Sequence, residues 1–289
     1  MTSPGLAGAA PAVPADAPRG EGTTFLAGFT NIWRKEVSEW FHTRKFIAVA
    51  ILTTLMVLAP PLIFFLHEGG LRDGRIDSGS EGLLTAWIAL SATLGSYLVV
   101  ALTMGVLIRE EEAGTAQWLF TKPVSRGGYV LAKYTANAAV VVLGAVVIPG
   151  VCFFAVMLAI QSDGLPTYSG ALLALGLVAL NACVVIGLVV GLSGFFRSTA
   201  PVAGIAIGLN FIPLFFNRIV DGKIIGFFPI NAGEVMSNAA EGNHLGPWQP
   251  VVSGICIAVA GVAFACWRGI AAAVAIGRER PTDAEPLFR

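Results

Sequence analysis

Six stretches of this chain, Phe46–Leu66, Leu83–Ile108, Tyr134–Ile160, Gly170–Phe196, Thr199–Phe216 and Val251–Trp267, contain no Asp, Glu, Lys, Arg or His. Each is close to the ~20 apolar residues that a helix needs to cross the hydrocarbon core. Backbone polar groups inside a bilayer must be satisfied within the segment, and for isolated runs of this length only the α-helix does so. The fold class that follows is all-α: a polytopic integral membrane protein with six transmembrane helices. Composition agrees, with 55% hydrophobic and 12% charged residues, outside the soluble range. Only Arg197-Ser198 separates the fourth run from the fifth. That break holds a charge, candidate caps and Pro201, which suits a first helical turn.

The flanks divide simply. Residues 1–24 are rich in Pro, Ala and Gly, with neither a basic start nor an apolar core, and read as a disordered tail rather than a signal peptide. Over residues 25–43 the bulky positions Phe25, Phe29, Ile32, Trp33, Val37, Trp40 and Phe41 recur at helical steps, with Arg34, Lys35, Glu36 and Glu39 between them. Such a stripe predicts an amphipathic helix lying in the headgroup layer. Residues 269–289 form a C-terminal tail.

Orientation follows from the 18 Lys and Arg residues. Arg19, Arg34, Lys35, Arg44, Lys45, Arg109, Lys122, Arg126, Lys133, Arg197, Arg268, Arg278, Arg280 and Arg289 fall on one side, against Arg72, Arg75, Arg218 and Lys223 on the other. The positive-inside rule places both termini and the Arg109–Lys133 loop in the cytoplasm of a multi-pass cell-membrane (inner-membrane) protein. Residues 221–250 are then outside, and IIGFFPINAGEVM within them predicts a short helix or re-entrant segment.

Spacing suggests the packing. Gly187 with Gly191, and Gly204 with Gly208, each form a GxxxG that permits close approach of a second helix, within the chain or from another copy. Asn137, Asn181 and Asn210 are expected to bond between helices. Pro60, Pro61, Pro149 and Pro213 predict kinks or interruptions. The four cysteines lie in apolar runs without metal-ligand or disulfide spacing, so no metal site is expected.

Several function classes lose support. Charge-free spans argue against proton- or ion-coupled transport, which needs ionisable groups at depth. His42, His67 and His244 stand at or beyond span ends, with no HExxH and no buried acid pair. The sequence contains no GxxxxGK[ST] loop, so no ATPase activity of its own is expected. Driven transport would need a separate engine.

A receiver for such an engine is the polar island Arg109–Lys133, REEEAGTAQWLFTKPVSRGGYVLAK. Glu110, Glu111 and Glu112 are predicted near a helix start, where the dipole favours them. Gly114 and Thr115 permit close approach, and Trp118, Leu119 and Phe120 supply an apolar knob of the kind that dominates small interfaces. Pro123 stops that short helix, and Ser125 caps the next, carrying Arg126.

The run Glu110-x-Glu112-x-Gly114-Thr115, then Leu119, Pro123-Val124-Ser125-Arg126 and Lys133, resembles the signature of the ABC-2 type (type V exporter fold) permeases, the membrane subunits of ABC exporters. Trp33-Arg34-Lys35-Glu36-Val37, then Arg44-Lys45 ahead of the first span, resemble that family's elbow helix, which over residues 25–43 takes in Trp40 and opens a transmembrane domain of residues 25–268. Within the family the chain is similar to the stand-alone permeases that include the nitrous-oxide-reductase maturation permeases. It departs at Ala132, where Gly is usual. The resemblance implies an exporter permease that pairs with a second permease copy or a paralogue. It also implies docking of a separate ABC ATPase on the coupling helix in 109–133, with ATP and Mg held by that partner and no cofactor or nucleic acid bound here. Membrane lipid is the remaining partner. Transport of copper or sulfur species in metalloenzyme maturation, and a non-transporting membrane scaffold, are the competing functions.

Overall fold

The computed structural model describes Leu26 and residues 28–67, 80–113, 124–159, 168–216 and 248–278. The first helix, α1 (Phe29–His42), ends at Thr43, and Arg44 takes a left-handed φ of 57° before α2 (Lys45–His67) begins. Two hydrogen bonds hold this tight corner: Thr43 N–H donates to the Glu39 carbonyl at 3.0 Å and Arg44 N–H to that of Phe41 at 3.3 Å. The helix α2 continues through Pro60 and Pro61.

A second rod consists of α3 (Ser80–Ala89), a π-helical turn (Leu90–Leu94) and α4 (Gly95–Thr103). The short α5 (Ile108–Glu112) follows. The third rod joins α6 (Arg126–Val141), a second π-helical segment (Val142–Val147) and α7 (Ile148–Ala159). Here Ile148 N–H reaches back five residues to Leu143. The wider turn lies directly before Pro149, which has no N–H to donate.

This third rod corrects a sequence-based boundary. Its 34 residues from Arg126 to Ala159 would extend about 51 Å at 1.5 Å per residue, well beyond the ~30 Å hydrocarbon core. It starts eight residues before the expected Tyr134 because Ser125 caps it, its Oγ accepting Gly128 N–H at 3.0 Å. The first turns of the helix therefore stand proud of the apolar layer or run along its edge.

The remaining helices are α8 (Tyr168–Phe195), α9 (Thr199–Phe216) and α10 (Gln249–Arg278). Among the described residues five helices are long and apolar enough to cross a membrane, and α9 adds a shorter apolar one over Thr199–Phe211. The C-terminal tail expected from residue 269 is helical through Arg278. The N-terminal tail and most of the outer 221–250 segment lie outside the described residues.

The central element is α8, which packs against α4, α6, α9 and α10. Its tightest neighbour is α10. A Cβ on Gly187 would sit 2.7 Å from Ala258 Cβ, and one on Gly191 would sit 2.6 Å from Gly261 Cα. No side chain fits where two backbones meet so closely. Gly204 and Gly208 have nothing within 4 Å of a built Cβ, so the second GxxxG packs no helix among the described residues of this chain. Of the expected interhelical amides, Asn181 Nδ2 donates to Ser96 Oγ at 3.1 Å, whereas Asn210 only donates back to Ala206 in its own helix. Outward-facing Leu55, Ile63, Leu172 and Val259 are each more than 60% exposed, an arrangement suited to lipid.

The close contact makes a prediction about stability. Gly191→Ala overpacks a backbone contact, at a cost of about 1–3 kcal/mol, and is expected to lower the melting temperature of the purified protein by several degrees. Gly204→Ala, entering open space, should hold or slightly raise it, since Ala favours a helix by about 1 kcal/mol. A thermal scan of both variants in the same detergent checks this.

Candidate functional site

The amphipathic stripe of α1 contains one residue out of place. Ile32, Glu36 and Trp40 are its buried positions, so a carboxylate lies in the middle of an apolar face. Its partner is Lys133, two turns into α6 and 2% exposed. Lys133 Nζ donates to Glu36 Oε1 at 2.8 Å and lies 3.3 Å from Glu110 Oε1. Buried charges persist only when paired and hydrogen-bonded, and here one ammonium serves two carboxylates.

Glu110 is the junction. Tyr129 OH donates to its Oε2 at 2.6 Å, and Lys35 Nζ donates to its Oε1 at 2.9 Å. Lys133 Nζ also lies 5.3 Å from the Tyr129 ring centroid, within range of a cation–π attraction. Four residues beyond Glu36, Trp40 Nε1 donates to Asn137 Oδ1 at 3.1 Å, while Asn137 Nδ2 donates to the Lys133 carbonyl at 2.8 Å. The pairs 36–133 and 40–137 share one sequence offset of 97, so α1 and the start of α6 run side by side in the same direction. Where the register reaches the front of α1, Gly28 takes φ +79° and a Cβ on it would lie 2.8 Å from Val124.

Two expectations change. The apolar face of α1 is taken up by protein: Ile32 and Trp40 are buried, and Phe29, Trp33 and Val37 pack on the core. Most of that stripe thus packs against α6 and the core rather than standing free, while Phe41 remains 48% exposed. Glu110, Glu111 and Glu112 stand at the C-terminal end of α5, where the dipole disfavours negative charge. Lys133, Lys35 and Tyr129 compensate at Glu110.

The charge-free stretch from Tyr134 continues backwards into helix that carries a buried charge. Lys133 lies inside a membrane-length helix, and the signal for it was Glu36 in the α1 stripe. Of the other named positions, Arg34 is exposed, Glu112 is exposed, and Arg126 opens α6 half-buried. Gly114, Thr115, Trp118, Leu119, Phe120 and Pro123 lie outside the described residues. Beside the ion pairs, a cavity of about 320 Å³ lies between α1, α4 and α6, lined by Trp40, Arg109 and Asn137 among others. No group of three His, Cys, Asp or Glu suited to a metal occurs among the described residues.

Burial would lower the Lys35 ammonium, but its bond to Glu110 and the charges of Glu110, Glu36 and Glu39 outweigh this and raise it. A raised lysine stabilises fully below its ordinary value and loses that contribution only as pH climbs through the raised one. The clamp therefore holds throughout the neutral range.

Chemically this arrangement positions rather than reacts: it ties α5, α1 and the root of the third rod into one body. The class is a polytopic helical membrane protein whose amphipathic N-terminal helix is locked by buried charge to an inter-span loop. The family described as ABC-2 family transporter protein matches residues 30–228, and the chain belongs to it. It is 26% identical over 251 residues to the uncharacterized transmembrane protein YxlG of Bacillus subtilis, covering 81% of this chain and 94% of that one. It is 25% identical over 206 residues to the probable ABC transporter permease protein NosY of Pseudomonas aeruginosa, covering 71% of this chain and 72% of that one. The NosY of Stutzerimonas stutzeri is 26% identical over 213 residues, with the same coverage.

Lys133→Met is expected to speed amide exchange across α1 about a hundredfold or more, because breaking a buried pair costs about 3–5 kcal/mol. Lys35→Ala, at a partly exposed pair, should change it by no more than about fivefold. The reversed pair Glu36→Lys with Lys133→Glu should fail to rescue, since Glu110 then faces a second carboxylate. Hydrogen–deuterium exchange of the α1 peptide, with the α9 peptide as internal reference, reads all three.

Proposed function

We propose that this ABC-2 permease is half of an ATP-driven exporter, two permease subunits being worked by two separate ATPase subunits docked on the 109–133 loop. The observation that carries the reading is Glu110, which fastens the start of that loop to both α1 and the root of the third rod through Lys133, Lys35 and Tyr129. A push on the loop would move a braced helix pair rather than deform a slack connection. Trp118, Leu119 and Phe120 would seat in the ATPase groove, with Glu111, Glu112 and Arg126 fixing register at its rim. ATP and Mg would stay on the ATPase. Both termini would lie in the cytoplasm.

The pairing of two permeases would use faces that stay open in a single chain. The Gly204 and Gly208 face of α9 is one, since none of the described residues approaches it and small residues favour close helix contact.

A tagged chain purified from native membrane is expected to bring down an ABC ATPase. Trp118→Asp or Glu112→Arg should lose it, and maleimide should label a cysteine at residue 118 only once the inner face is opened. Retention of the ATPase by both variants overturns the docking loop, and capture of no ATPase from intact membrane favours the scaffold.

A further inference from the structure

On the far side of α6 from the ion pairs lies an open groove of about 610 Å³, bounded by α6, α8 and α10 and lined by residues such as Leu131, Tyr134, Leu180, Ile255, Val259 and Trp267. Its one phenol is already engaged, Tyr134 OH donating to the Cys183 carbonyl at 3.3 Å, so the surface offered is apolar. Between Ile255 and Trp267 it follows α10 for about 18 Å at 1.5 Å per residue, close to the depth of one leaflet, about 15 Å.

Three arginines follow or precede, by one or two residues, contacts made near one end of this groove. Cys266 Sγ lies 3.9 Å from the Gly127 carbonyl, and the Phe195 and Phe264 rings stack with centroids 3.9 Å apart. These contacts bring the start of α6, the end of α8 and the neighbouring turn of α10 to one level, and so place Arg197 and Arg268 near that level. No Asp or Glu occurs on α6, α8, α9 or α10, and neither Arg197 nor Arg268 has an ion pair among the described residues. Trp267 is 63% exposed at the same end, as a ring at the headgroup level is.

We infer that the groove holds an acyl chain of an anionic phospholipid, whose headgroup phosphate is met by Arg197 and Arg268. An apolar channel of one-leaflet depth accepts the chain, and Arg197 and Arg268, on or beside helices that carry no Asp or Glu among the described residues, select negative charge. This rests on the membrane placement and not on ATPase coupling, so the two readings fail separately.

The test is native mass spectrometry of the full chain released from detergent with dioleoylphosphatidylglycerol or dioleoylphosphatidylcholine, lipids with identical chains. Phosphatidylglycerol should be retained at roughly 25-fold lower concentration, at about fivefold for each of the two basic residues as a guide. Arg197→Gln with Arg268→Gln should erase that preference and the double Lys variant restore it. Val259→Trp should reduce retention of both lipids. Equal retention of the two lipids by the native chain, or an unchanged preference in the double Gln variant, overturns the assignment. So does Val259→Trp altering the oligomeric state with lipid retention intact, because a second copy then covers the groove.

Discussion

One buried ammonium decides how this molecule is assembled. Lys133 sits where water cannot solvate it, inside a helix that continues into the membrane, and it is tolerable there because Glu36 and Glu110 approach it from two other elements. Among the described residues Glu36 forms its ion pair with Lys133 alone, while Glu110 draws also on Lys35 and Tyr129. The position of α1, the direction of α5 and the start of the third rod are therefore one problem with one solution, in which removing Lys133 leaves the Glu36 charge stranded. Neutral packing could hold the same helices together, but it would not specify which residue of α1 lies beside which residue of α6.

Around that lock, the rest of the bundle is held by shape. The α8–α10 contact has no hydrogen-bonding side chains at its closest point: Gly187, Gly191, Ala258 and Gly261 meet backbone to backbone. In lipid, apolar side chains gain little by leaving their surroundings, and close fit has to supply what the hydrophobic effect supplies in water. The molecule thus has a charged lock at one end and a dry seam through its middle.

The apolar helices were legible from sequence because the absence of charge over about twenty residues has few other meanings. The break at Arg197-Ser198 was legible too, and α9 begins at Thr199. The site was less so. Hydropathy treats lysine as a marker of surface, and so it starts the third span at Tyr134 and gives no sign that the helix runs back through a buried Lys133. The clue lay in another helix, at Glu36. Likewise two GxxxG patterns read the same, but only Gly187 and Gly191 face small residues of α10; the difference resides in Ala258 and Gly261, sixty or more positions away. Glu110 to Glu112 were assigned to a helix start from their type alone, whereas α5 ends with them.

The offset of 97 residues between Glu36 and its cation also sets an order for biogenesis. At synthesis rates of about 5–20 residues per second, Glu36 leaves the ribosome roughly 5–20 s before Lys133 exists to meet it. Through that interval two hydrophobic segments are made while the amphipathic helix waits with an unmatched carboxylate on its greasy side. Arrival of the third span is then the moment at which the N-terminal region acquires its final address, and a nascent chain halted before Lys133 would be recognisable to quality control by that unclaimed acid.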